Sequence, residues 1–241
     1  MLKENENVTS PITEQPSVDP NSTLGLAPLL NNQSLILKRR MKPFICDCEV
    51  DLKYDIHAGN EGEIVYKASE KSNFWQKCCL GSFRAVEINI NGIANRRVIH
   101  IERPLGCFGC CCSILYPFCN AEFMVRVSDI FIGSIRERAS WWYPVFHIFD
   151  EEGTQIFKVR GPGLVRFAPR KIVFNVTRHL VPSEGIVASI TKKWQGLCSE
   201  NVNLITNYDI EFSSRNTLSL KEKALILSAT FLIETTLYAE S

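Results

Sequence analysis

From Leu35 onward the chain is a succession of short apolar-rich runs broken by turn-forming residues. The runs are Leu35–Leu37, Asp51–Ile56, Glu63–Ala68, Arg84–Ile90, Arg97–Glu102 and Glu122–Val127. They continue with Ile130–Ile135, Val145–Phe149, Gln155–Val159, Lys171–Thr177, Gly185–Ile190 and Tyr208–Phe212. Several alternate with the two-residue period of a half-buried strand: Ile172, Phe174 and Val176 fall on one face, and Lys171, Val173 and Asn175 on the other. The separators carry turn chemistry, as in His57-Ala58-Gly59-Asn60, Asn91-Gly92, Glu151-Glu152-Gly153 and Gly161-Pro162-Gly163. Many short strands at this spacing predict an antiparallel sandwich or barrel.

The C-terminus has a different period. Ser219 followed three residues later by Glu222 forms a capping-box pattern, which predicts a helix start. The stretch Lys221–Leu237 holds Ala224, Leu225, Ile226, Leu227, Ala229, Phe231, Leu232 and Ile233, so the helix is apolar nearly all round. Such a helix is buried on every side or lies in a membrane. Its apolar run from Ala224 to Ile233 rises only ~15 Å, about half of the ~30 Å hydrocarbon thickness. Glu222 and Glu234 bracket it. A helix wrapped by a closed sheet is therefore the better expectation.

Before the first strand, residues 1–28 are polar and punctuated by Pro11, Pro16, Pro20 and Pro28, without apolar periodicity. They are expected to form a disordered tail, because they bury too little to offset ordering entropy. Residues 29–241 then make one domain, with no internal repeat. The 241-residue chain is 45% hydrophobic and 22% charged, enough for a real core. Its net charge of +1 excludes a global pull toward nucleic acid or anionic lipid, so no nucleic-acid partner is expected and any attraction is local. No apolar run follows Met1–Glu6, so no secretory signal is read. The ten cysteines are then expected in a reducing compartment, where disulfides are rare.

Those cysteines are the sharpest chemical feature. Cys107-Phe108-Gly109-Cys110-Cys111-Cys112 is followed by Cys119 and preceded by Cys78-Cys79. Disulfides are disfavoured by compartment. A zinc site has the Cys107/Cys110 knuckle spacing but lacks a second Cys-X2-Cys pair; its other thiolates would come from Cys119, Cys78, Cys79 or the Cys46/Cys48 pair. Buried cysteines acting as small hydrophobes are the plainest account, though a core rarely needs four within six positions. S-acylation suits a dense patch flanked by Phe108, Ile114, Leu115 and Phe118, because stable anchoring takes several chains. Acylation fits best; metal and core packing stay open.

The residues around this patch resemble the phospholipid scramblase family. Ile101-Glu102-Arg103-Pro104-Leu105-Gly106 leads into the cysteines as it does there. Lys53–Ile56, Val65–Ser72, Cys78-Cys79 before Gly81, Val159–Pro162 and Gly185–Ile190 with Lys192-Lys193-Trp194-Gln195-Gly196 follow in family order. The resemblance covers roughly residues 29–241. It implies a mainly β, tubby-like fold, a closed antiparallel β-barrel of about twelve strands around a buried C-terminal α-helix. It implies covalent palmitate on Cys107, Cys110, Cys111 and Cys112, and placement on the cytosolic face of the plasma membrane. The implied activity is ATP-independent, calcium-stimulated, bidirectional movement of membrane phospholipids between leaflets, without covalent catalysis. His57, His100, His147 and His179 lie apart in sequence and mark no catalytic centre.

The chain departs from the family in the calcium segment before the terminal helix. Leu204-Ile205-Thr206 stand where acidic residues are expected, leaving Asn207, Asp209 and Glu211 on one strand face as candidate calcium ligands. Calcium takes about 6–8 oxygens, so calcium binding is expected to be weak. Lys192 and Lys193 also fall where some members carry a nuclear-import segment, a thin basic signal here. A palmitoylated adaptor that binds anionic lipid without transporting it is the alternative, supported by the basic run Lys38-Arg39-Arg40-Met41-Lys42. Protein partners are then expected through the N-terminal tail.

Overall fold

The computed structural model describes residues 25–40, 52–59, 62–71, 85–93, 95–104, 122–138, 140, 142–163, 171–181, 184–194 and 206–238. A short helix, α1 (Ala27–Asn31), precedes twelve strands: β1 (Ser34–Arg40), β2 (Lys53–Ala58), β3 (Ile64–Lys71), β4 (Val86–Gly92), β5 (Arg97–Arg103) and β6 (Glu122–Val127). They continue as β7 (Ile130–Arg138), β8 (Val145–Asp150), β9 (Gln155–Arg160), β10 (Lys171–Arg178), β11 (Ile186–Trp194) and β12 (Thr206–Phe212), and the chain ends in α2 (Leu220–Leu237). Each strand pairs antiparallel with its sequence neighbour, and β12 pairs with β1 to close the barrel. Each of the twelve runs read from the sequence overlaps one of these strands; Glu63 and Gly185 fall just before β3 and β11, and Asp51 and Arg84 lie outside the described residues. Several strands extend further than their apolar residues, as β7 does to Arg138 opposite Val145, because ladder hydrogen bonds continue under charged side chains.

A barrel of twelve strands encloses more space than its own inward side chains fill. Here α2 occupies it. Its twelve consecutive residues Ala224–Thr235 are all buried, so the helix lies inside the barrel. Phe231 is fully buried and meets Tyr54 of β2 edge-on, with ring centroids 5.3 Å apart. Ser228, Thr230 and Thr235 hold hydroxyls in this apolar interior by donating to the carbonyls of Ala224, Ile226 and Phe231. β7 comes close to α2 at Gly133, where a Cβ would stand 2.2 Å from the Phe149 carbonyl oxygen and 3.2 Å from the Leu225 side chain. The predicted capping box is present: the Glu222 amide donates to Ser219 Oγ at 3.2 Å, and the Ser219 amide to Glu222 Oε2 at 2.7 Å. Among the described residues no helix is long and apolar enough to cross a membrane.

Helix α1 was not visible in the sequence. Pro28 reads there as punctuation, yet it sits in the first turn of α1, where its missing amide costs nothing. Leu26 and Leu29 are buried, and Lys223 of α2 donates to the carbonyls of Leu29 (2.7 Å) and Asn32 (3.2 Å) at the end of α1. The described fold thus begins at Gly25, a little before the boundary that composition indicates.

Candidate functional site

Strict up-and-down pairing gives the barrel two unlike ends. All odd-numbered strands finish, and all even-numbered strands start, at the end where α2 terminates. We call this end the mouth. The buried charged residues among those described are Glu70, Arg103, Lys192 and Glu234, and all four lie near it. Glu70 is next to last in β3, Arg103 is last in β5, Lys192 is near the end of β11, and Glu234 is in the last turn of α2.

Lys192 points inward by strand parity. Ala188, Ile190 and Lys192 occupy the core face of β11, and Lys192 pairs in register with Ile172 and Tyr208, which are also buried. Glu234 Oε2 accepts a hydrogen bond from the Tyr208 hydroxyl at 2.5 Å and lies 3.5 Å from Lys192 Nζ. Arg39 of β1 stands 3.8 Å from Glu234 Oε1. The Lys192 ammonium also sits 3.0 Å from the centre of the Tyr238 ring, a cation–π contact in a desolvated setting. A carboxylate in the last helical turn meets the negative end of the helix dipole, so these two cations offset a local penalty as well as a burial cost.

The titration of the cluster follows from burial. Desolvation lowers the Lys192 pKa to about 8; Glu234 pulls it back up, and Arg39 pushes it down. The Tyr208 pKa rises well above the usual phenol range because it is buried and faces the Glu234 charge, and the Tyr238 pKa rises for the same two reasons. The partners come from β1, β11, β12 and α2. Chemically the cluster is a polar clamp that closes the mouth around the end of the helix.

The candidate calcium residues fall where alternation puts them. Tyr208, Ile210 and Phe212 face the core, and Asn207, Asp209 and Glu211 share the other face of β12. That face also carries cations. Asn207 lies in register between Lys38 of β1 and Lys193 of β11, and Asp209 is ion-paired with Lys193. Glu211 lies opposite Ser34 and Ser189 and is exposed. Among the described residues no group of three or more histidines, cysteines or acidic residues could hold a metal ion. His100 bonds Asn89 and His57 bonds the Gly62 carbonyl, each at 3.0 Å. Cys107, Cys110, Cys111 and Cys112 lie outside the described residues; the connection that carries them leaves β5 at Arg103 and enters β6 at Glu122, both at the mouth.

The clamp was missed in the sequence. Lys192 reads there only as half of a thin basic signal with Lys193, although it has the parity of Ala188 and Ile190. A lone acid closing an all-buried helix also demands a buried cation, and that demand was the available signal.

Comparison with known proteins adds an independent observation. A family model described as Scramblase matches residues 12–240. The chain is 29% identical to phospholipid scramblase 2 of Homo sapiens over 177 residues, covering 72% of this chain and 56% of that protein. It is 29% identical to phospholipid scramblase 1 of Mus musculus over 187 residues, covering 77% of this chain and 54% of that protein. Phospholipid scramblase family member 5 of Homo sapiens is 24% identical over 191 residues, covering 79% and 67%. The chain thus spans a little over half the length of the first two relatives. No solved structure matches it.

Proposed function

The chain belongs to the scramblase family, and from that premise we propose that it moves phospholipids in both directions between the leaflets of the plasma membrane, from the cytosolic face and without ATP. The observation that carries this reading is the family match over residues 12–240. Because Phe231 and its neighbours fill the interior, the lipid path runs along the boundary between protein and bilayer, not through the barrel. Palmitate on Cys107, Cys110, Cys111 and Cys112 holds the protein there. Several chains are needed, since one acyl chain gives only marginal attachment. The N-terminal tail is the segment offered to protein partners.

Calcium dependence is weak in this reading. Asp209 is already engaged by Lys193, and Asn207 lies between two lysines, so a cation arriving at β12 meets like charge. Reconstituting the acylated chain in vesicles and timing the flip of a labelled lipid without ATP is the test. Accelerated flip that micromolar calcium changes by less than about twofold, and that Asp209→Ala leaves unchanged, is the expected result. A large calcium response abolished by Asp209→Ala or Glu211→Ala overturns the weak-calcium view.

A second reading, an acylated adaptor that binds anionic lipid without transporting it, is favoured by the filled interior alone. It predicts tight vesicle binding with no flip above protein-free vesicles. Both readings expect hydroxylamine to release the protein from membranes, and the joint replacement of Cys107, Cys110, Cys111 and Cys112 by Ala to shift it off the plasma membrane. Retention of that variant on membranes after alkaline washing refutes thioester anchoring.

A further inference from the structure

We propose that the protein docks end-on to an anionic lipid surface, with the mouth of the barrel facing the headgroups. The inference rests on the membrane reading above but requires neither lipid transport nor acylation.

The first observation is where the strands end. β1, β3, β5, β7 and β9 finish on Arg40, Lys71, Arg103, Arg138 and Arg160; β11 finishes on Lys193-Trp194. β2 and β10 start on Lys53 and Lys171, whereas β6 starts on Glu122, and Arg40 and Lys193 are ion-paired to Asp55 and Asp209. Arg103 is buried, whereas Lys53, Lys71, Arg138, Arg160 and Lys171 are exposed. The opposite end places Asp129, Glu151, Glu152 and Glu184 in its turns, and its Arg97 and Lys221 are ion-paired to Asp129 and Glu151. The chain is nearly neutral as a whole but electrically polar along the barrel axis. Screening confines attraction to charges within roughly 8–10 Å of the surface. Only end-on contact brings the basic ring within that range while keeping the acidic turns outside it.

The second observation comes from connectivity. The ten cysteines occupy positions 46, 48, 78, 79, 107, 110, 111, 112, 119 and 198. In chain order every one falls between the last residue of an odd strand and the first residue of the next even strand, and it is those flanking strand ends that lie at the mouth. No cysteine falls in the turns of the opposite end. A third comes from Trp142, which is 72% exposed beside Tyr143 in the β7–β8 connection at the mouth. Indole and phenol rings favour the headgroup region of a bilayer. The opposite end does expose Ile93, Phe131 and Leu180; Phe131 and Leu180 lie at turns that carry Asp129 and Glu184, which an anionic surface repels, and of the three only the Ile93 turn is basic.

The test is co-sedimentation of the full-length, unacylated chain with phosphatidylcholine vesicles, with and without about one third phosphatidylserine. At ~1 kcal/mol per basic residue near such a surface, each lost charge costs about fivefold. Lys53→Gln, Lys71→Gln, Arg138→Gln and Lys171→Gln together are expected to lower affinity by roughly a hundredfold or more. Arg96→Gln, Arg97→Gln, Arg215→Gln and Lys221→Gln together remove the same charge from the opposite end and are expected to change affinity by less than about twofold. Equal loss in both variants, no loss in the first, or equal binding to neutral vesicles overturns the proposal. Docking without lipid flip refutes the transport reading alone; flip with unimpaired binding of the mouth variant refutes the docking alone.

Discussion

Replacing Phe231 with aspartate is expected to leave no cooperatively folded barrel. Phe231 is fully buried midway along the buried part of α2 and packs edge-on against Tyr54 across the interior. Truncating a buried Phe costs about 3–5 kcal/mol, and a carboxylate without a partner adds several more. Domains of ordinary stability have only about 5–15 kcal/mol to lose. The helix has nowhere else to put the charge, because its neighbours in both directions are buried from Ala224 to Thr235. Loss of near-UV circular dichroism and of a cooperative thermal transition is the readout. Phe231→Leu, which keeps the apolar character, is expected to fold with a lowered midpoint. A well-folded aspartate variant contradicts a helix enclosed by the sheet.

That helix shows why so much of the fold was legible. Alternation in segments such as Lys171–Thr177 reports which face is buried, and the capping box at Ser219 reports a helix start, so each element announces itself locally. Closure of the barrel follows from a helix that is apolar all round and must be surrounded. Helix α1 was hidden because five residues around Pro28 carry no periodicity; Leu26 and Leu29 are buried in the core, and the Leu29 amide donates to the Leu26 carbonyl. The clamp at the mouth was hidden for a related reason. Arg39, Lys192, Tyr208 and Glu234 converge only once β1, β11 and β12 are in register and α2 is inserted. A sequence shows a charge run at Lys192-Lys193, whereas strand parity sends the two lysines to opposite sides of the wall.

The same clamp carries the second large effect. Lys192→Met is expected to destabilise the protein by about 3–5 kcal/mol, because it strips a cation from the buried carboxylate of Glu234. Glu234→Leu leaves Lys192 buried without its acid and costs a similar amount. The double variant Lys192→Met/Glu234→Leu is expected to be more stable than either single variant, since an apolar pair of similar volume needs no desolvation. Chemical denaturation of the four proteins measures this, and simple additivity of the two losses refutes the pairing. Dependence on pH separates the clamp from plain packing. The Lys192 pKa near 8 in the folded state lies below the ordinary lysine value of 10.5. Between those values the unfolded chain binds more protons at this site, so its contribution to stability rises with pH across the window, by at most about 3 kcal/mol. Above about pH 10 the tyrosines act the other way. The pKa values of Tyr208 and Tyr238 are raised in the fold, so the unfolded chain loses its phenol protons first and stability falls. The wild-type protein is therefore expected to gain stability relative to Lys192→Met between pH 8 and 10. A difference that stays flat across that range shows that Lys192 keeps an ordinary pKa, and that the mouth is more solvated than its burial implies.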